Sequence, residues 1–508
     1  MSMMPALTSR QIGLIVGVVL AVGLQLLPVP EGLDRRAWLL ASLMLLMASW
    51  WATEAIPIAA TALVPLALFP LLGIVSVREA SLPYADPIVM LLLGGFIIAL
   101  SIERWNLHAR IALHVVLRFG ARPALLVLGF MVAAAGLSMW ISNTATCLMM
   151  LPIALKVAES MKDEGVDTRM FAPALALAIA YAASIGGLGT PVGTPSNLIG
   201  IGYLENTLGR TISFPQWMMI GLPAVLLIIP AAWLILTRLA FRVESTASAG
   251  ASGQAAVRSA LAALGTMSTP EKRAAALFAT VAVLWMGREL NFGGEASYGW
   301  NPMLAWLGAA LDLPVRIALN DTQIAVAGAL ATFLVPAGGR TEDGQRRRVA
   351  LMDWDATRRL PWAVIILFGG GISMAGAMTA TGLDQWLGAQ LSFVAGLPTP
   401  LVVLIIAFMV VFLTELTSNV ATATAFMPVL GALAIAMGVP VEHLIVPVAL
   451  AASCAFMLPV ATAPNAIVYG GGSVTMAEMI RAGFRINLVA APLIALVSSL
   501  IAPLVFPG

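Results

Sequence analysis

The sequence predicts an all-α polytopic membrane protein, built as an inverted repeat with about 11 transmembrane helices, two re-entrant hairpins and two broken helices. Three observations lead there. Of 508 residues, 60% are hydrophobic and 10% charged, against about 25% charged in a soluble protein. Apolar runs near the ~20 residues that span hydrocarbon recur along the chain. Finally, an uncharged polar triplet is set into apolar surroundings twice, in WISNTATCLMMLP at 140–152 and LTSNVATATAFMP at 416–428.

Taken in order, apolar runs at 12–28, 37–52, 55–74 and 86–103 open the chain. The first follows one early cation, Arg10, shows no small-residue cleavage site, and is read as a retained span. Further runs lie at 171–205, 216–240, 273–288, 321–337, 361–380, 444–470 and 486–506. Two other stretches, 123–158 and 398–437, are too long for one span and carry the triplet near their centres. Each is either two full spans or one hairpin returning to its own side. Charge decides between these, because Lys and Arg concentrate in short cytoplasmic loops. With hairpins and a cytoplasmic N-terminus, Arg104, Arg110, Lys156, Lys162, Arg238 and Lys272 fall inside, as does the cluster Arg340, Arg346, Arg347, Arg348, Arg358 and Arg359. Arg35, Arg36, Arg78, Arg210, Arg288 and Arg316 stay outside. Two full spans in each stretch would place Lys156, Lys162, Arg238 and the large cluster outside, so hairpins are predicted.

The least hydrophobic long connection, VESTASAGASGQAAVRSALAALGTMSTPEK, divides the chain into comparable halves. Aligning the triplets sets an offset of 276 residues, which also carries Pro152 onto Pro428 and Gly94 onto Gly370. A second pair of motifs, GTPVGTPSNLIG at 189–200 and LPVATAPNAIVYG at 458–470, follows the triplets in the same order. An odd number of crossings separates the repeats, so the second half is expected to enter from the opposite side.

Gly, Thr, Pro and Asn in GTPVGTPSN and ATAPN break helices, and non-helical backbone at membrane depth survives only where protein or a watery cavity satisfies it. Half-helix N-termini offer amides to an anion, and half-helix C-termini offer carbonyls to a small cation. Asn supplies a donor and an acceptor, and Ser and Thr hydroxyls serve as either. A site without fixed charge can therefore hold an anion and sodium together, each neutralising the other. The competing explanation is that Ser, Thr and Gly merely allow close helix packing. Four breaker motifs in an inverted repeat favour the binding reading.

Other features exclude alternatives. The net charge of +2, without a basic stripe, gives no nucleic-acid partner. Cys147 and Cys454 lie in apolar segments as small hydrophobes and form no metal-ligand cluster. The Gly-rich GGLGTPVGTP lacks the Lys-Ser/Thr of a phosphate loop. No Ser/His, paired-Asp or HExxH arrangement supports an intramembrane enzyme. Glu415, inside an apolar arm, is read either as an ion-coupling carboxylate or as a hydrogen bond that stabilises the hairpin. His108, His114 and His443 are placed at surfaces or interfaces, and Trp50, Trp51 and Trp362 as interfacial anchors.

The paired triplets, the inverted halves, WWATEAIPIAATALVP at 50–65, FLTELTSN and the closing PN motifs together resemble the divalent anion/sodium symporter family of dicarboxylate, citrate and sulfate transporters. The resemblance runs over nearly the whole chain. It implies a homodimeric elevator-type transporter in the cell membrane, multi-pass, with Na+ as coupling ion, a small divalent anion as substrate and no organic cofactor. The implied bodies are scaffold helices at 1–85, a first transport half at 86–215 and scaffold helices at 216–360 with a cytoplasmic linker at 241–272. A second transport half at 361–485 and a final scaffold helix at 486–508 complete the chain. Carried over by motif, a first sodium site would use Ser138, Ser142, Asn143 and Gly193, and a second Thr414, Thr417, Asn419 and Ala461. Substrate carboxylates would meet Ser142, Asn143, Thr144, Ser418 and Asn419, with Val420, Thr194, Pro195 and Thr462 close by.

The sequence departs from the family pattern at Val420, where Thr is usual, and at Ala463, where Pro is common. Losing the Thr hydroxyl removes a hydrogen bond to a charged substrate worth about 1.5–3 kcal/mol if made. A C4-dicarboxylate-like anion with sodium symport is the reading. Sodium-independent exchange, a sulfate or sulfonate substrate and, from another class, an anion channel are the alternatives.

Overall fold

A computed structural model describes residues 8–506 except 121, 165, 210–211, 244–246, 292–296, 313–317, 339–348 and 391–395. Arg210, Arg316, Arg340 and Arg346–Arg348, used above to orient the loops, lie outside the described residues.

The first half opens with α1 (Ser9–Leu26) and α2 (Arg35–Thr53), packed on each other, then α3 (Ile58–Thr61), α4 (Val64–Leu71) and α5 (Val77–Ser81). Next come α6 (Pro87–Arg104), α7 (Leu107–Leu117), α8 (Pro123–Ser138), α9 (Asn143–Asp163), α10 (Phe171–Gly186), α11 (Pro195–Leu208) and α12 (Phe214–Leu234). The middle holds α13 (Ala247–Ala263), α14 (Thr269–Met286), a two-residue antiparallel strand pair at Leu290–Asn291 and Ser297–Tyr298, α15 (Trp300–Ala310) and α16 (Asp321–Leu334). The second half continues with α17 (Trp362–Thr381), α18 (Leu383–Gln390), α19 (Thr399–Leu413), α20 (Asn419–Met437), α21 (Glu442–Ala451), α22 (Ala463–Gly470) and α23 (Met476–Val505).

Sequence chemistry sets these boundaries. Thr8 with Gln11, Ser213 with Gln216, Ser268 with Glu271, Asn320 with Gln323 and Thr475 with Glu478 each form a reciprocal cap at a helix start. At the other end, Gly209, Gly382 and Gly438 take left-handed conformations that stop α11, α17 and α20.

Among the described residues seven helices are long and apolar enough to cross a membrane, fewer than the eleven runs read from composition. Backbone breaks explain part of the difference. The expected span 55–74 is interrupted at Ala62 and Leu63 between α3 and α4. The run at 321–337 gives only the 14-residue α16. At 1.5 Å per residue such helices fall short of the ~30 Å hydrocarbon thickness. Conversely α7, α13, α15 and α18 were not anticipated. Within the Ser/Ala/Gly-rich connection, alanines favour helix over loop, and α13 docks on α7, α8 and α9, with Gln254 Nε2 donating to Phe119 O at 2.9 Å.

The largest apolar core centres on α10, in which every residue except Ala172 is buried. Helices α8, α9, α12 and α22 surround it. The approach is close enough that a Cβ on Gly186 would lie 2.3 Å from the Ala135 carbonyl oxygen, so only glycine fits there. A second core joins α1, α2 and α4 to α17. Helices α12 and α23 pack along α10, α19 and α21 and contribute to the first core. Two side-chain placements also change. Trp51 is 1% exposed and donates Nε1–H to Ile58 O at 3.2 Å, so it is a core residue and not an interfacial anchor. His108 is buried with its Nδ1 3.4 Å from Ile102 O, unlike the exposed His114.

Candidate functional site

Each polar triplet sits where one helix ends and the next begins. Ser142 is the N-cap of α9, accepting from Ala145 N at 3.2 Å, and Ser418 is the N-cap of α20, accepting from Ala421 N at 3.4 Å. The serine thus satisfies a helix-start amide that would otherwise be orphaned. The following asparagine is bound from behind in both copies. Ser138 Oγ donates to Asn143 Oδ1 at 2.5 Å, and Thr414 Oγ1 donates to Asn419 Oδ1 at 2.8 Å. Ser138 and Thr414 are fully buried, while Asn143, Thr144, Ser418, Asn419 and Val420 are half-buried and Ser142 is exposed.

The first break faces the first tip. After α10 a short turn, Gly187–Gly189, leads into extended Thr190, and the helix resumes at Pro195 with Thr194 as N-cap. A Cβ on Gly187 would lie 3.1 Å from Asn143 Oδ1 and 3.0 Å from the Gly193 carbonyl oxygen. Asn143 and Gly193 therefore present two oxygens beside one bare glycine, and Ser138 holds the first of them. In the second break α21 ends at Ala451 and α22 resumes at Ala463, where Thr462 caps Asn465 N at 3.3 Å. Thr414 Oγ1 also reaches Ala452 O at 2.9 Å, uniting tip and break. Thr417 bonds to Leu413 O at 3.2 Å and to Thr422 Oγ1, and Ala461 is buried with its amide on Leu458 O.

The halves interlock. The first turn of α9 meets the start of α22, with Cys147 Sγ 3.7 Å from Pro464 O, while α20 packs on α11. Val420 packs against the second core of α1, α2, α4 and α17.

The asparagines that end the two break motifs, and Glu415, hold this geometry. Asn197 Nδ2 donates to Gly187 O, Leu188 O and Thr190 O at 2.9, 3.3 and 2.7 Å, closing the first break. Asn465 Nδ2 does the same in the second, to Ala455 O and Leu458 O, both at 3.1 Å. Each asparagine binds carbonyls ten and seven residues before it, so the PSN and APN motifs share one structural reason. Glu415 Oε1 accepts from Phe456 N, Met457 N and Asn487 Nδ2 at 2.6, 2.9 and 2.7 Å, and Oε2 from Met457 N and Leu458 N at 3.0 and 3.1 Å. The hydrogen-bonding reading of this carboxylate is what the geometry shows. It ties the second tip to the second break and to α23.

A cavity of about 710 Å³ lies between the α5–α6 connection, α11, α17 and α20. Glu79 and Asp86 stand at its wall with Tyr203, Asn206 and Thr424, and none of the expected ligand residues lines it. This cavity lies beside the tips and breaks and not between them. Among the described residues no group of three or more His, Cys, Asp and Glu could hold a metal ion. Any cation here would be met by neutral hydroxyl, amide and carbonyl oxygens, a set that suits sodium.

The model of the sodium:sulfate symporter transmembrane region matches residues 8–506. The sodium-dependent dicarboxylate transporter SdcS of Staphylococcus saprophyticus is 39% identical over 498 residues, covering 97% of this chain and 91% of that protein. SdcS of Staphylococcus aureus is 39% identical over 507 residues, covering 99% of this chain and 93% of its own. Among solved structures, the Alcanivorax borkumensis YdaH transporter aligns with a TM-score of 0.50 at 14% identity, over 91% of this chain and 98% of that one, a likeness of fold alone.

Proposed function

The chain belongs to the sodium:sulfate symporter transmembrane-region family, and from that premise we propose that it is a secondary active transporter importing a C4-dicarboxylate-like anion together with sodium. The observation that carries the reading is the repeated hydrogen-bonded pair, Ser138 with Asn143 and Thr414 with Asn419, at two helix starts, the second of which is also joined to its break by the bond from Thr414 Oγ1 to Ala452 O. Relatives 39% identical over nearly the whole chain are sodium-dependent dicarboxylate transporters, which supports the choice of ion and substrate class.

The physical logic is charge compensation. Moving one ion into a low-dielectric interior costs on the order of 20 kcal/mol by the Born estimate. A site made of neutral dipoles cannot offset that for an anion alone or for sodium alone. Asn143 and Asn419 each stand at a helix start, and an amide side chain can serve both kinds of ion, its oxygen a cation and its N–H groups an anion. Sodium would be held by Ser138, Ser142, Asn143 and Gly193 in one pocket and by Thr414, Thr417, Asn419 and Ala461 in the other. The anion would meet Ser142, Asn143, Thr144, Ser418 and Asn419, with Val420, Thr194, Pro195 and Thr462 close by. The halves would be inverted hairpin-and-break units moving as an elevator against a scaffold, in a homodimer with a cytoplasmic N-terminus. The proposed moving body includes α12 and α23, because both pack on the hairpin side.

Uptake of radiolabelled succinate into proteoliposomes tests this. An inward sodium gradient is expected to drive accumulation, and choline to abolish it. Uptake indifferent to sodium but dependent on internal dicarboxylate would replace symport with exchange, and currents far above carrier turnover would replace it with a channel.

A further inference from the structure

We propose that Ser453 couples the two cation pockets, so that filling one raises the affinity of the other, an inference that rests on the sodium-symport reading above. Ser453 follows the end of α21, in the second break, yet its hydroxyl belongs to the first. Its Oγ lies 3.1 Å from Thr194 Oγ1 and 2.5 Å from Ser196 Oγ. None of these three residues is more than 3% exposed. The cluster links the second break directly to the start of α11.

Both ends of this link reach a proposed ion pocket. On one side, Thr194 follows Gly193, whose carbonyl oxygen and Asn143 Oδ1 would lie 3.0 and 3.1 Å from a Cβ on Gly187, with Asn143 held by Ser138. On the other, the peptide joining Ala452 to Ser453 carries the carbonyl that Thr414 Oγ1 touches at 2.9 Å, while the same hydroxyl faces Asn419 Oδ1 at 2.8 Å. A threonine hydroxyl has one proton and cannot donate fully to two acceptors. A cation bound to Thr414 Oγ1 and Asn419 Oδ1 needs lone pairs from both oxygens and expels the proton from between them. The Ala452 carbonyl is then its remaining acceptor. That bond fixes the 452–453 peptide, and the peptide fixes Ser453 against Thr194 and Ser196. The first turn of α11 is thereby held where the Gly193 carbonyl closes on the first pocket. Linkage makes the effect reciprocal.

The test is the sodium-activation curve of succinate uptake by the full-length protein in proteoliposomes. Wild type is expected to give a sigmoidal curve. Ser453→Ala should keep sodium dependence but flatten the curve towards a hyperbola, with half-saturating sodium raised about fivefold or more. Ser453→Thr, which keeps the hydroxyl, should restore the sigmoid, a rescue that a purely packing role for Ser453 does not predict. If Ser453→Ala fails to insert, Ser196→Ala removes the 2.5 Å contact alone and should show a smaller loss of sigmoidicity. A hyperbolic wild-type curve, or a sigmoid unchanged in the Ala variants, overturns the coupling and leaves symport standing. Sodium-independent uptake by wild type would instead remove the reading on which it rests.

Discussion

Asn143→Ala and Asn419→Ala each reduce sodium-driven succinate uptake by tenfold to a hundredfold while the protein still inserts and melts near the wild-type temperature. Each substitution deletes the amide that Ser138 or Thr414 holds at the helix start. An interaction with a charged group is worth about 1.5–3 kcal/mol, and 1.4 kcal/mol is a factor of ten in binding. Both asparagines are half-buried and lie at tips, so their loss leaves no packed core cavity. The expected signature is a large rise in half-saturating sodium in both variants, read from uptake curves at fixed succinate. Wild-type sodium dependence in either one would remove that residue from the ion pocket.

The second large effect is structural. Glu415→Ala strands three backbone N–H groups, those of Phe456, Met457 and Leu458, together with Asn487 Nδ2. A buried donor left without an acceptor costs about 1–3 kcal/mol. The sum is large enough to release the second tip from the second break. Thermal unfolding in detergent should show a melting temperature lower by at least about 5 °C, accompanied by loss of uptake. Glu415→Gln keeps one acceptor oxygen and should fall between. Substituting the neighbouring Leu416, which is 70% exposed, should leave the melting temperature unchanged. Wild-type stability in Glu415→Ala would mean that the amides of 456–458 find other partners and that the carboxylate is not the fastener described here.

What could be read beforehand follows from contrast. Ser142-Asn143-Thr144 and Ser418-Asn419-Val420 stand out because polar residues are rare in apolar runs. The Gly, Pro and Asn of the two breaks stand out because helices do not tolerate them. These positions became helix caps and interruptions at the expected places. Features that depend on a distant partner were not legible. Nothing around Asn197 reveals that its amide closes three carbonyls of the preceding turn. Ser453 is one more small residue in an Ala-rich stretch until α11 is placed beside it. Trp51 and Trp50 are adjacent in sequence, and only the fold separates the buried ring from the half-exposed one. Hydropathy registers apolar character and not the break that divides α3 from α4. It missed α7 and α13, whose burial comes from docking against neighbours.

In the proposed function, an anion site made of dipoles would bind its ligand only when sodium is bound beside it. Equilibrium binding of succinate to the purified protein, titrated calorimetrically in sodium and again in choline at equal ionic strength, tests this directly. Strong binding in sodium and loss of at least tenfold in affinity in choline is the predicted result. Equal affinity in both solutions would contradict it.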